Sequence, residues 1–135
     1  MKGAGILIYC IETDRFLLNL RSENVSEGMT YGLFGGKLKI NESPEKAALR
    51  EVKEESSIKI NRLIKSIVYK KGNFIYYNYI GIINKEEIPL MNWESKSYKW
   101  ISEEALRELN NLHYGVKYLI NSSIFKNQMK KIRNS

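Results

Sequence analysis

The chain opens on GAGILIYCI (Gly3 to Ile11), a nearly continuous apolar run that reads as a strand, and strand-like runs recur around a few isolated helical segments. Glu12-Thr13-Asp14 is a turn into RFLLNLR, giving a first hairpin. LIKSIVYKKGNFIYYNYIGII splits around Lys71-Gly72-Asn73 into a second. Pro89 interrupts the pattern, and NWESKSYKWIS supplies a short strand ending near Trp100. Ser43 as N-cap, Pro44 in the first helical position and Glu45 at the positive end of the dipole start an internal helix. Ser102 begins a capping-box-like SEEALREL, and Val116, Leu119, Ile120, Ile124 and Phe125 predict an amphipathic, basic C-terminal helix at about 113–133. Strands alternating with helices in this way imply an α/β chain, a mixed sheet covered by helices, in one domain spanning 1–135.

Composition narrows the function. A hydrophobic fraction of 43% with charges of both signs describes a globular protein rather than a disordered one. The longest apolar stretch is far too short to span a bilayer, and no signal peptide follows Met1-Lys2, which favours the cytoplasm and no membrane partner. Cys10 is the only cysteine and lies in an apolar run, so an intrachain disulfide and a Cys/His zinc site are excluded and a buried inert thiol is expected. The net charge of +7 is compatible with a polyanionic ligand such as a nucleotide or RNA. The sequence carries no signal of oligomeric state.

Against that basic background, ALREVKEESSI concentrates acid. On a helix, Glu54 and Glu55 fall about 60° to one side and about 40° to the other of Glu51, so three carboxylates share a face. Ala47 and Ala48 line the preceding turn and leave space above it. Like charges at this spacing destabilise a helix by a few tenths of a kcal/mol per pair. Two readings follow: a solvated acidic face relieved by Lys46, Arg50 and Lys53, or a site for divalent cations. Mg²⁺ suits a cluster of hard oxygen ligands without His or Cys.

The full spacing resembles the signature of the Nudix hydrolase family, Gx5Ex7REUxEExGU with U a bulky aliphatic residue. Gly36, Glu42, Arg50, Glu51, Val52, Glu54, Glu55 and Ile58 stand at its positions, and only Ser57 departs, where the family has glycine at the helix end. Serine in a left-handed cap costs roughly 1 kcal/mol. YGLFGGK and NWESKSYKWISEEAL are similar to the family's flanking segments, although the proline usual before the paired glycines is missing. The likeness runs from about Gly3 to Leu109.

The resemblance implies a Nudix fold, an α/β/α sandwich around a mixed central β-sheet, and Mg²⁺-dependent hydrolysis of a nucleoside diphosphate linked to another group, with Mn²⁺ as a substitute. It implies Glu51, Glu54 and Glu55 as metal ligands with the Gly36 carbonyl, and Glu42 and Arg50 as an orienting pair. The general base is either a box glutamate or Glu94, six residues before Trp100. Arg21 is a candidate phosphate contact. Tyr76 falls where the diadenosine-polyphosphate subgroup places a tyrosine, and equally reads as one of the alternating side chains of a strand. A nucleoside triphosphate, ADP-ribose or a dinucleoside polyphosphate is the expected small-molecule substrate. The alternatives are an RNA 5′-pyrophosphohydrolase or decapping enzyme, and a non-catalytic nucleotide-binding module. Lys126, Lys130, Lys131 and Arg133 read as a solvated helix end rather than an RNA contact.

Overall fold

The computed structural model describes residues 1–135. Its strands are β1 (Lys2–Cys10), β2 (Arg15–Arg21), β3 (Tyr31–Gly32), β4 (Phe34–Lys37), β5 (Arg62–Lys71), β6 (Phe74–Ile83) and β7 (Ser95–Ser102), and its helices α1 (Pro44–Ser56), α2 (Glu103–Glu108), α3 (Tyr114–Ile120) and α4 (Ser123–Arg133). The strands form one seven-stranded sheet with a main path β3-β2-β1-β6-β5; β4 pairs with β1, and β7 with β2. β1 and β6 run parallel and the other pairings are antiparallel, so the sheet is mixed, as expected.

Both faces of β1 are buried from Gly3 onward, which is what its unbroken apolar sequence requires. Ala4, Ile6, Ile8 and Cys10 pack with Phe34 and with Ala47, Ala48 and Val52 of α1. Leu7 and Tyr9 point the other way, into a cluster with Leu106, Val116, Leu119, Phe125 and Met129 of α2 to α4. Helices therefore cover both faces, and the α/β/α sandwich stands. No helix is long and apolar enough to cross a membrane.

Both hairpins form, with Asp14 and Gly72 at positive φ in their turns. Two expectations change. The helix expected over 113–133 is two helices, because the Ser122 hydroxyl donates to the Leu119 carbonyl and accepts from the Phe125 N–H, ending one helix and capping the next. Ile124 consequently leaves the apolar stripe and is half exposed. Arg133 is not a solvated tail cation: it pairs with Asp14 and Glu103, each at 2.9 Å, and lies over the Tyr9 ring.

α1 ends as its sequence demands, without glycine. Ser57 takes the left-handed conformation (φ 61°, ψ 13°) and its N–H reaches the Lys53 carbonyl. Ser56 reinforces the end by donating to the Val52 carbonyl at 2.6 Å and accepting from the Ile58 N–H at 3.2 Å.

Candidate active site

β1 divides its first edge between two neighbours: Gly3 to Ile6 pair with β4, and Ile8 to Cys10 pair with β2. This puts the paired glycines of β4 beside the start of β1, where α1 also packs. Gly36 leaves room there for Glu51, since a Cβ on it would lie 2.6 Å from the Glu51 carboxyl carbon and would push that side chain aside. Gly35 donates its N–H to Glu55 Oε1 at 2.8 Å. Two of the three expected ligands thus meet a bare strand edge.

Arg50 organises the rest. Its Nε and Nη2 donate to the two oxygens of Glu42 at 2.8 and 2.9 Å, in a fork that fits a carboxylate. Nη1 donates to Glu51 Oε1 at 2.8 Å and reaches Glu54 at 3.3 Å, while Nη2 also donates to the Lys37 carbonyl at 3.0 Å. Glu42 in turn accepts from the Lys39 N–H. The Arg50 hydrogen bonds, then that backbone N–H, hold the Glu42 carboxyl down at about 2. The expected pair of Glu42 and Arg50 is therefore in contact, and it ties the loop before α1 to β4.

The three box carboxylates are not equivalent. Glu54 is exposed, Glu51 is partly covered, and Glu55 is 6% exposed. Burial first, then the neighbouring charges of Glu51 and Glu94, push the Glu55 carboxyl up to about 8, against the opposing pull of the Gly35 N–H and Arg21. Their partners differ too: Glu51 and Glu54 turn to Arg50, and Glu55 to Gly35, so the three do not converge as one preformed group of ligands. The donor set nevertheless fits a hard divalent cation, being all oxygen and including an acid that burial, and after it the neighbouring like charges, keep protonated until a cation offsets them.

On the other side of β4 lies a cavity of about 380 Å³. Gly3 and Gly5 carry no side chains to fill the sheet face shared with Leu7 and Tyr9, and Tyr76 lies across them and Gly35 instead. Its ring forms cavity floor, and burial raises its hydroxyl pKa, so that it stays a neutral donor. Arg21 and Glu94, both expected, stand in the wall at the β4 end. Arg21 is steadied by donating to the Ser26 carbonyl at 2.9 Å, and Ser22 donates its N–H to the Glu94 carbonyl. Gly35 and Gly36 form part of the same wall, so only a glycine edge separates the cavity from Glu51 and Glu55.

The wall also carries the rings of Tyr69, Phe74 and Tyr114. His113 joins them, stacked on Tyr114 at 4.4 Å between ring centroids. Its Nδ1 accepts the Gly115 N–H at 3.0 Å, which leaves the proton on Nε2, and burial followed by Arg21 keeps the imidazole neutral. Tyr69, His113 and Tyr114 were not among the expected site residues. Their nearest sequence signal is the pair Tyr114 and Tyr118, two large rings on the polar side of a helix.

The family model of the NUDIX domain matches residues 1–120. The chain belongs to the Nudix family. With that membership it is a Nudix hydrolase, a hydrolase acting on pyrophosphate bonds. Solved Nudix structures share the fold at low identity. The NUDIX domain of Shewanella oneidensis NrtR, complexed with ADP ribose, superposes with a TM-score of 0.78 at 13% identity, covering 98% of this chain and 88% of that one. The MutT protein of Methanosarcina mazei Go1 gives 0.75 at 22%, covering 98% and 95%. A binary complex of the Caenorhabditis elegans Ap4A hydrolase gives 0.62 at 23%, covering 78% and 83%.

Proposed function

We propose that this Nudix hydrolase cleaves, with Mg²⁺ or in its place Mn²⁺, the pyrophosphate bond of a nucleoside diphosphate linked to a further group. The observation that carries the proposal is the meeting of Glu51 and Glu55 with the glycine edge of β4, beside a cavity lined by Arg21, Glu94 and the rings of Tyr69, Phe74 and Tyr114. Phosphates belong beside the glycine edge and Arg21, and a nucleobase against the rings. The ADP-ribose bound to the S. oneidensis domain and the activity named for the C. elegans relative support a nucleoside triphosphate, ADP-ribose or a dinucleoside polyphosphate as the substrate class.

Glu51, Glu54 and Glu55 would hold the cation, together with the Gly36 carbonyl. Bound there, it supplies charge neutralisation at the phosphoryl oxygens and acidifies a water molecule. Arg50 keeps Glu51 and Glu54 on the β4 side of α1 and is itself anchored by Glu42. Arg21, at the cavity wall, neutralises a phosphate oxygen. The proton of the attacking water goes to a box glutamate or to Glu94. Glu94 has geometry on its side, being in the cavity wall and close enough to Glu55 to raise its pKa.

The test is turnover of a panel of nucleoside triphosphates, ADP-ribose and dinucleoside polyphosphates with Mg²⁺ or Mn²⁺. Release of a nucleoside monophosphate from at least one is expected, and Glu54→Gln loses most of the activity without loss of folding. Binding without turnover across the panel would leave a nucleotide-binding module and refute the proposal. Glu94→Gln separates the two bases: kcat falls by about a hundredfold or more if Glu94 is the base and is largely kept if a box glutamate is.

A further inference from the structure

Phe16, Leu17 and Leu18 of β2 are buried and apolar, and the residue after them, Asn19, is as deeply buried, at 3% exposure, but polar. A buried amide is costly unless its bonds are made, so its partners show what it holds. Asn19 uses both ends. Its Nδ2 donates to the Leu33 carbonyl at 2.7 Å and to the Gly32 carbonyl at 3.3 Å, and its Oδ1 accepts from the Ser95 hydroxyl at 3.3 Å. In the sheet Asn19 lies opposite Gly32 of β3 on one edge of β2 and opposite Tyr98 of β7 on the other. One side chain therefore bridges two strands that are not paired with each other.

Both of the bridged segments lead straight into the candidate active site. Gly32 and Leu33 run into β4, where the Gly35 N–H meets Glu55. Ser95 follows Glu94, whose own backbone is held on both sides: its N–H donates to Asn92 Oδ1 at 3.0 Å, and its carbonyl accepts from the Ser22 N–H at 2.9 Å. The ladder between β2 and β7 shifts at the same place. Leu20 lies opposite Ser97 and Arg21 opposite Ser95, so Lys96 is an extra residue. Bulges of this kind re-aim the side chains beside them. Glu94 and the glycines of β4 then face one cavity from two segments that Asn19 joins.

We propose that Asn19 is a positioning residue for the hydrolysis, setting through its one amide the gap between Glu94 and the glycine edge of β4. The inference rests on the hydrolase reading above with Glu94 as the base. Asn19 acts through the Ser95 hydroxyl on one side and the Leu33 carbonyl on the other.

Ser95→Ala removes only the hydroxyl that joins Asn19 to the Glu94 segment. On whichever of a nucleoside triphosphate, ADP-ribose and a dinucleoside polyphosphate is turned over with Mg²⁺, kcat is expected to fall about tenfold with KM changed by less than about twofold. Ser95→Thr keeps the hydroxyl and is expected to restore kcat. In the Glu94→Gln background Ser95→Ala is expected to change kcat by less than about twofold, because there is no base left to misplace. Asn19→Leu, similar in size, releases both segments and is expected to lose about a hundredfold in kcat. The Ser95 variants leave the amide in place and carry the test if Asn19→Leu does not fold. Amide hydrogen exchange gives a readout that needs no turnover: Asn19→Leu is expected to speed exchange at the Gly35 and Glu94 N–H groups about tenfold or more and to leave Leu119 and Ile120 of α3 unchanged, and Ser95→Ala to speed Glu94 alone. A loss in Ser95→Ala that persists in Glu94→Gln, wild-type kcat in both Ser95→Ala and Asn19→Leu, or unchanged exchange at Gly35 and Glu94 overturns the proposal. Full kcat in Glu94→Gln refutes Glu94 as the base, and turnover of no substrate refutes the hydrolase reading; in either event the exchange rates alone decide whether Asn19 sets the gap.

Discussion

Replacing Glu55 by glutamine tests the site through its energetics. In the metal-free protein the Glu55 carboxyl sits at about 8 instead of its ordinary 4.5. Folded protein therefore keeps a proton that the unfolded chain has released, and stability falls as pH rises from about 4.5 to about 8. That span of about three and a half pH units, at about 1.4 kcal/mol each, sets a ceiling of roughly 5 kcal/mol. Structural relaxation lowers it to a few kcal/mol. For a domain of this size that is on the order of 10 °C in Tm. Glutamine keeps an acceptor for the Gly35 N–H and does not titrate. Thermal melts in EDTA between pH 5 and 9 are expected to coincide for the two proteins at the acid end and to separate toward pH 9, with the variant higher. His113, whose lowered pKa adds stability as pH rises through its unfolded value, is common to both and cancels in the difference. Adding Mg²⁺ at pH 9 should raise the wild-type Tm and leave the variant nearly where it was, with activity lost. Parallel Tm curves in EDTA, or an equal gain from Mg²⁺ in both proteins, would refute the placement of Glu55 as a buried acid that awaits a cation.

Other substitutions probe the surrounding scaffold. Ser57→Gly relieves the left-handed serine at the end of α1 and is expected to stabilise by about 0.5–1 kcal/mol, a shift readable in urea melts without change in kcat. Gly36→Ala meets the movable Glu51 carboxylate first, so it is expected to fold with little loss of stability while kcat drops by about a hundredfold. Gly35→Ala meets backbone, including the Gly5 Cα at 2.6 Å, and is expected to cost several kcal/mol and to show first as insoluble protein. Arg50→Lys cannot keep the fork to Glu42 along with its contacts to Glu51 and Glu54; steady-state kinetics should show kcat reduced about ten- to a hundredfold with KM little changed.

The parts of this structure that were legible in sequence are those encoded locally. Ser43 and Pro44 announce the start of α1 wherever the helix packs, and the Lys71-Gly72-Asn73 turn makes its hairpin from its own backbone preferences. β4 escaped because Gly35 and Gly36 have no side chains to show a strand period, and their place in the sheet comes from backbone pairing with Gly5 and Ala4. The break between α3 and α4 escaped for the opposite reason: the apolar spacing continues across Asn121 and Ser122, and only the Ser122 hydroxyl, bonded to both sides, shows that the axis has ended.

The site divides along the same line. Helix angles put Glu51, Glu54 and Glu55 on one face, but they cannot say which of three like residues is buried. That depends on where β4 crosses α1, and hence on Gly36 admitting Glu51 and on the Gly35 N–H facing Glu55. Arg50 shows why the motif needs its spacing: one guanidinium touches Glu42 eight residues back, Glu51 next to it, Glu54 one turn on and the Lys37 carbonyl on the strand. Moving any one of these along the chain would break a contact the others cannot replace. The aromatic part of the cavity wall has no such local code, since Tyr69, Phe74 and Tyr114 come from two strands and a helix that only the tertiary fold brings together. A candidate metal-binding face written in one helix can therefore be read from the chain, whereas the cavity beside it is built from side chains that are neighbours only in space.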